Sequence, residues 1–103
     1  MRITMGMRVN PSLTVEAGSR LPGGRSDLVR LTGVALGIEP GEILTPYFRF
    51  GSGGGFRKGQ ATVVVKTDGT FAWSRLIRKN KAIVVFVRYR ETDSNRVLWA
   101  SLS

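Results

Sequence analysis

Between Thr67 and Tyr89 the chain reads TDGTFAWSRLIRKNKAIVVFVRY, and apolar side chains recur in it at every second residue. That spacing suits a strand, whose successive side chains point to opposite faces; a helix would bring its buried stripe round every three to four residues. The same period governs several other short runs bounded by Gly, Pro, Asp or Asn, and no window of eleven residues or more carries a sustained helical stripe. The pattern predicts an all-β chain with strands over Arg2–Val9, Leu13–Val15, Asp27–Leu36, Glu42–Phe50, Gln60–Thr67, Thr70–Ile77, Ala82–Arg90 and Arg96–Leu102. The segments AGSRLPGGRS, GIEPGE, GSGGGFRKG, DG, RKNK and ETDSN read as turns or loops, because their residues either tolerate unusual backbone angles or bond their own backbone.

Within this frame some pairings are legible. Asp68-Gly69 lies between ATVVVK and TFAWSR, and Asp-Gly is favoured in two-residue turns that need positive φ at both central positions. The two runs are therefore expected to be antiparallel neighbours. Phe71 and Trp73 share one parity, as do Phe48 and Phe50, which predicts four large rings in a core between two sheets. In KAIVVFVRYR, Ile83, Val85, Val87 and Tyr89 form one apolar face, while Ala82, Val84 and Phe86 begin a second face that turns cationic at Arg88 and Arg90. A strand apolar on both sides is a central strand, and its cationic end leaves the core towards water.

A chain of 103 residues predicts one domain over 1–103, long enough to bury roughly 65% of its unfolded surface. Its 42% apolar content argues against disorder, and thirteen Gly with four Pro suit a turn-rich β protein. Sixteen Lys and Arg against seven Asp and Glu give a formal charge of +9. Residues 51–103 hold ten of the cations and three of the acids, so the positive field belongs mainly to the C-terminal half. Such a field attracts nucleic acid, anionic glycans or acidic lipid surfaces, serves solubility equally well, and is silent about fold.

The run Gly69, Phe71, Trp73, Arg75, then the basic turn Arg78–Lys81, then Val85 to Tyr89 and Ser94 to Val97 resembles a bacterial immunoglobulin-like β-sandwich module of secreted and cell-surface proteins of actinobacteria. Leu44-Thr45-Pro46-Tyr47-Phe48-Arg49-Phe50 is similar to an upstream run of the same module. The resemblance covers roughly residues 42–98. It implies an immunoglobulin-like antiparallel sandwich of about seven strands, extracellular or at the cell surface, with the leader not in this chain. It also implies a non-catalytic structural, adhesion or anchoring role, with another protein or an anionic cell-wall or glycan polymer as partner. The alternative architecture is a small five-stranded oligonucleotide-binding-type barrel, which is also short, Gly-punctuated and basic. Seven or eight runs fit two sheets better than one barrel. Nucleic acid is accordingly the less favoured partner, and a virion decoration domain is a further alternative that also accounts for a missing leader.

The residue inventory points away from catalysis. There is no Cys and no His, which removes thiolate metal sites, disulfides, the usual general base and the usual zinc ligand. The acids are scattered, and no Ser or Lys has a visible activating partner. Gly51 to Gly55 lacks the Gly-Lys-Ser/Thr ending of a phosphate loop and leads into a strand where such loops open a helix. Glu91, Asp93 and Asn95 alternate in an oxygen-rich loop, yet calcium wants six to eight oxygens and the glycine-containing loop of an EF-hand is absent. The reading is no catalytic residue, no cofactor and no metal. No apolar run is long enough to span a membrane, and MRITMGMRVNPSL has no apolar core of a signal peptide.

One surface stands out as a candidate binding face. If Phe48 and Phe50 face the core, Tyr47 and Arg49 face outward; if Ile83 to Tyr89 face it, Phe86, Arg88 and Arg90 face outward as well. In an immunoglobulin-like sandwich these runs are neighbouring strands joined by the last one. Pairing across ETDSN sets Arg96 opposite Arg90. The predicted patch is therefore Tyr47, Arg49, Phe86, Arg88, Arg90 and Arg96, either a site for an anionic partner or a solvated face whose charge Glu91 and Asp93 neutralise.

Overall fold

The computed structural model describes residues 10–51 and 54–99. It is all-β, with nine strands among the described residues: β1 Ser12–Leu21, β2 Ser26–Leu36, β3 Ile43–Phe50, β4 Arg57–Lys58, β5 Val63–Val64, β6 Thr70–Arg78, β7 Ile83–Tyr89, β8 Thr92–Asp93 and β9 Val97–Trp99. Two antiparallel sheets pack face to face. One has the order β1-β2-β6; the other has β4-β3-β7-β8, with β5 also on β3 and β9 also on β7. This is the strand order of an immunoglobulin-like sandwich, β1, β2 and β6 against β3, β7 and β9. No helix among the described residues is long and apolar enough to cross a membrane.

The core follows the alternation of the sequence. Val29, Leu31, Phe71, Trp73 and Ile77 from the first sheet meet Leu44, Phe48, Ile83, Val85, Val87 and Trp99 from the second, all buried. Gly33 belongs to this packing: a Cβ there would stand 2.4 Å from both the Phe71 ring and the Thr14 carbonyl oxygen, so only glycine fits. Phe50 departs from expectation. It has the right parity, but it lies at the end of β3 and is 40% exposed, tilted against Phe48 with the Arg75 guanidinium above both rings.

Three further expectations are corrected. The segment AGSRLPGGRS is not mainly loop: β1 runs to Leu21, with a register shift between Val15 and Ala17, and pairs with β2 through Leu28. Gly18 and Ser19 hid this strand, because small residues carry no alternation. The strand expected over Gln60–Thr67 shrinks to Val63–Val64. Pro46 supplies a reason: it has no N–H to donate, its carbonyl accepts from Gly59 at 2.7 Å, and the partner of β3 breaks there into β4 and β5. The Asp68-Gly69 corner is also not a two-residue hairpin between neighbouring strands. Of the two only Gly69 has positive φ, the N–H of Gly69 donates to Lys66 and that of Lys66 to Thr70, and beyond this one pair the flanking runs part, β5 to β3 and β6 to β2. Asp68 holds the corner by accepting from the N–H and hydroxyl of Thr70. The strand expected over Arg2–Val9, and the end of the one expected over Arg96–Leu102, lie outside the described residues.

At one end of the sandwich Asp27 is fully buried and accepts from Arg20 and Lys79, each at 2.8 Å, and from the N–H of Gly23. The Arg20 guanidinium donates in addition to the carbonyls of Arg78, Lys79 and Lys81. One buried carboxylate thus clamps the β1–β2 hairpin to the turn between β6 and β7.

Candidate functional site

The outward face of the larger sheet is built by the pairing of β3 with β7. Tyr47 lies opposite Phe86, so the two side chains project together and their rings stack at 5.2 Å between centroids and 8° between planes. Lys58 lies opposite Tyr47 on the other side, from β4. Phe56, just before β4, meets the Phe86 ring edge-on at 4.9 Å. Three rings from three strands or their flanks therefore form one aromatic band across the sheet.

Guanidinium groups cover that band. Arg88 sits 4.8 Å from the Tyr47 centroid and 5.5 Å from that of Phe86. Arg96 lies 4.8 Å from Phe56 and 5.8 Å from Phe86, and Arg49 lies 4.9 Å from Phe56. Such contacts are favourable because a ring face is electron-rich, and they pre-set the orientation of side chains that would otherwise be loose. They also explain why Phe86 is only 5% exposed although it points away from the core.

The charge on this face is only partly compensated. Asp93 pairs with Arg88 through two hydrogen bonds, 2.6 and 3.1 Å, and this bidentate contact holds the Asp93 carboxyl below its ordinary range and the guanidinium above its own. Arg49, Lys58 and Arg96 have no ion pair among the described residues. The Nε of Arg49 is buried beside Phe56 and has no hydrogen-bond acceptor. Arg49 and Arg96 share one ring with no ion pair of their own, Asp93 being held by Arg88 and acting on Arg96 only at longer range, so their field is left for an anion to meet.

Of the six residues predicted for the patch, the structure brings five together: Tyr47, Arg49, Phe86, Arg88 and Arg96. Arg90 is the exception. The chain reverses directly after β7 through Arg90 and Glu91, with Tyr89 opposite Thr92 and Arg88 opposite Asp93, so the strand's alternation stops before Arg90. Its backbone has positive φ, 57°, and its guanidinium lies over Tyr89 instead. Arg96 does not lie opposite Arg90 either. Ser94 folds back so that its N–H donates to Val87 and its hydroxyl accepts from the same residue, which carries β9 into the register Val85 opposite Val97 and sets Arg96 above Phe86. The loop's oxygens have separate tasks: Asp93 holds Arg88, while the Asn95 amide bonds both the N–H and the carbonyl of Val15.

Phe56 and Lys58 are the residues that sequence reasoning missed. Both sit in GSGGGFRKG, where the glycines announce a loop, and a single aromatic at the end of a glycine run is the only sign of return to the sheet. No family model, curated protein or solved structure matches the chain.

Proposed function

We propose that this chain is a non-catalytic module of an extracellular or cell-surface protein, with a structural, adhesive or anchoring role, and that the face carrying Arg49 and Arg96 binds an anionic polymer. The observation that supports this most is the arginine-covered aromatic band, in which Arg49 and Arg96 share the Phe56 ring and form no ion pair among the described residues. A guanidinium held over a ring has N–H groups left to donate, and these suit carboxylate, sulfate or phosphate oxygens.

The same geometry bears on the nucleic-acid alternative. Binding of single strands relies on open rings against which bases stack. Here Tyr47 and Phe86 stack on each other under Arg88, and the ring of Phe86 is buried. Charge recognition without base stacking is what this face suits.

The test is retention on heparin and on an acidic cell-wall polymer across a salt series. Arg49→Gln with Arg96→Gln is compared with Arg25→Gln with Lys81→Gln, which removes the same charge from exposed positions elsewhere. A localised site predicts a much larger loss and a shallower salt slope for the first pair. Equal losses from the two pairs would leave only net charge and end the proposal.

A further inference from the structure

The two edges of the three-stranded sheet are treated differently. On β1 the Asn95 side chain pairs with the N–H and carbonyl of Val15, as a neighbouring strand would, and the register shift beside it bends the edge. On β6 the hydrogen-bond parity can be followed from the corner. The Gly69 carbonyl accepts from Ala35 on β2, whereas the Thr70 carbonyl points the other way and accepts from Lys66. Alternation along an antiparallel strand then turns the N–H and carbonyl of Ala72, Ser74 and Leu76 away from β2. Nothing among the described residues pairs with them, since β6 is the end of its sheet. The next outward carbonyl, that of Arg78, is taken by Lys81 and Arg20. Among the described residues the edge is open over one continuous stretch and closed at both ends.

Beside this stretch lies a cleft of about 490 Å³, with Arg30, Thr32, Ala72 and Ser74 on one wall and Ala61 and Lys66 among those on the other. Two of the three outward side chains at this edge, Ala72 and Ser74, are small, while Leu76 is large and exposed. The surroundings are cationic. Arg75 and Arg78 lie on β6, Lys66 and Arg30 flank it, neither β6 nor the segment 60–66 contains an acid, and Asp68 at the corner is already bonded to Thr70. A second copy of this chain would set another cationic edge, with no acid on it, against the first, so like charges oppose self-pairing.

We propose that the open edge of β6 is a docking site for an extended acidic segment of a partner protein, which adds to the sheet as a fourth strand. Backbone bonds to Ala72, Ser74 and Leu76 supply the pairing, and carboxylates on alternate positions face Arg30 and Lys66. Pairing by the main chain makes the site tolerant of partner sequence, while the cations select its charge.

The experiment follows amide hydrogen exchange of the full chain by NMR with three eight-residue probes: one alternating Glu with Val, one alternating Lys with Val, and one alternating Glu with Pro. The Glu–Val peptide is expected to slow exchange at Ala72, Ser74 and Leu76 by at least about tenfold, and the other two are expected to leave it unchanged. Ser74→Pro removes a donor that points away from β2 and weakens the Glu–Val complex at least about tenfold. Arg30→Glu with Lys66→Glu alters no backbone group, so it keeps the test sharp if the proline variant fails to fold; it shifts the preference from the Glu–Val to the Lys–Val peptide. Three results overturn the proposal: protection confined to the Phe56 and Arg96 region, equal binding of the Glu–Pro peptide, or protection of the same amides by concentrating the protein alone.

Discussion

Arg20 and Asp27 meet at 2.8 Å with side-chain exposures of 7% and 0%, and through this pair the β1–β2 hairpin is fastened to the turn carrying Arg78, Lys79 and Lys81. The contact costs desolvation of both ions, and hydrogen bonds offset that cost on every side of the carboxylate. Removing one partner leaves the other charge buried, which is far worse than never having had the pair. Arg20→Gln is therefore expected to lower Tm by at least about 10 °C, and Lys79→Gln by much less because the Lys79 side chain is 41% exposed. Equal shifts in differential scanning calorimetry would contradict the assignment of Arg20 as the clamp.

The same carboxylate sets the acid limb of stability. Hydrogen bonds from Lys79, then Arg20, and from the Gly23 N–H hold Asp27 at about 2 against an ordinary 3.8. Asp93, bonded to Arg88, and Asp68, bonded to Thr70, are lowered in the same direction. Each group has its folded pKa below its unfolded one, so the unfolded chain binds more protons as acid is added. The stabilisation is fully present above about pH 4 and is lost as the pH falls towards about 2. Urea midpoints are expected to be level between about pH 6 and pH 5 and to drop below about pH 4. A midpoint that holds steady down to about pH 2 would show that these carboxylates are not engaged in solution.

The core makes two separable demands. Trp73 is buried and tilts against Trp99 at 6.3 Å, so Trp73→Ala loses transfer energy and leaves a cavity, a cost of about 3–5 kcal/mol. Gly33→Ala fails for the opposite reason. Its methyl group would overlap the Phe71 ring and the Thr14 carbonyl, and relieving that overlap is expected to cost about 1–3 kcal/mol or more. The pair of variants tests both directions by chemical denaturation, and a Gly33→Ala protein as stable as the parent would mean that β1 and β2 pack more loosely than described.

What the sequence carried openly was alternation. Wherever large apolar residues took every second place, as in VVFVRY and TFAWSR, strand and facing could be read, and four patch residues, Tyr47, Arg49, Phe86 and Arg88, followed from parity alone, whereas the partner of TFAWSR proved to be β2 and not ATVVVK. Alternation says nothing where residues are small or where the chain leaves a strand. Ala17, Gly18 and Ser19 concealed most of β1, and the gap opened by Pro46 divided β4 from β5 through a missing donor in another strand. Phe56 came into the site by the return of a glycine-rich loop, whose path no local pattern encodes. Arg90 and Arg96 went astray because one early reversal and one folded-back serine shift the register by steps too small to leave a sequence signature.

Arg90 offers a way to test the site and the turn in one protein. Its φ of 57° lies in a region where a side chain crowds the backbone, and glycine alone enters it freely. Replacing Arg90 by Gly or by Ala removes the same cation and the same contact with Tyr89, so the difference between the two variants isolates the backbone. Arg90→Gly is expected to be more stable than Arg90→Ala by about 1 kcal/mol, read from urea midpoints at constant slope. Because Arg90 stands apart from the band formed by Tyr47, Phe56 and Phe86, both variants should keep the heparin retention of a protein that has lost one exposed cation elsewhere, such as Arg25→Gln. A retention loss as large as that of Arg96→Gln would return Arg90 to the anion-binding face, and equal stability of the Gly and Ala variants would mean that the turn after β7 relaxes out of positive φ in solution.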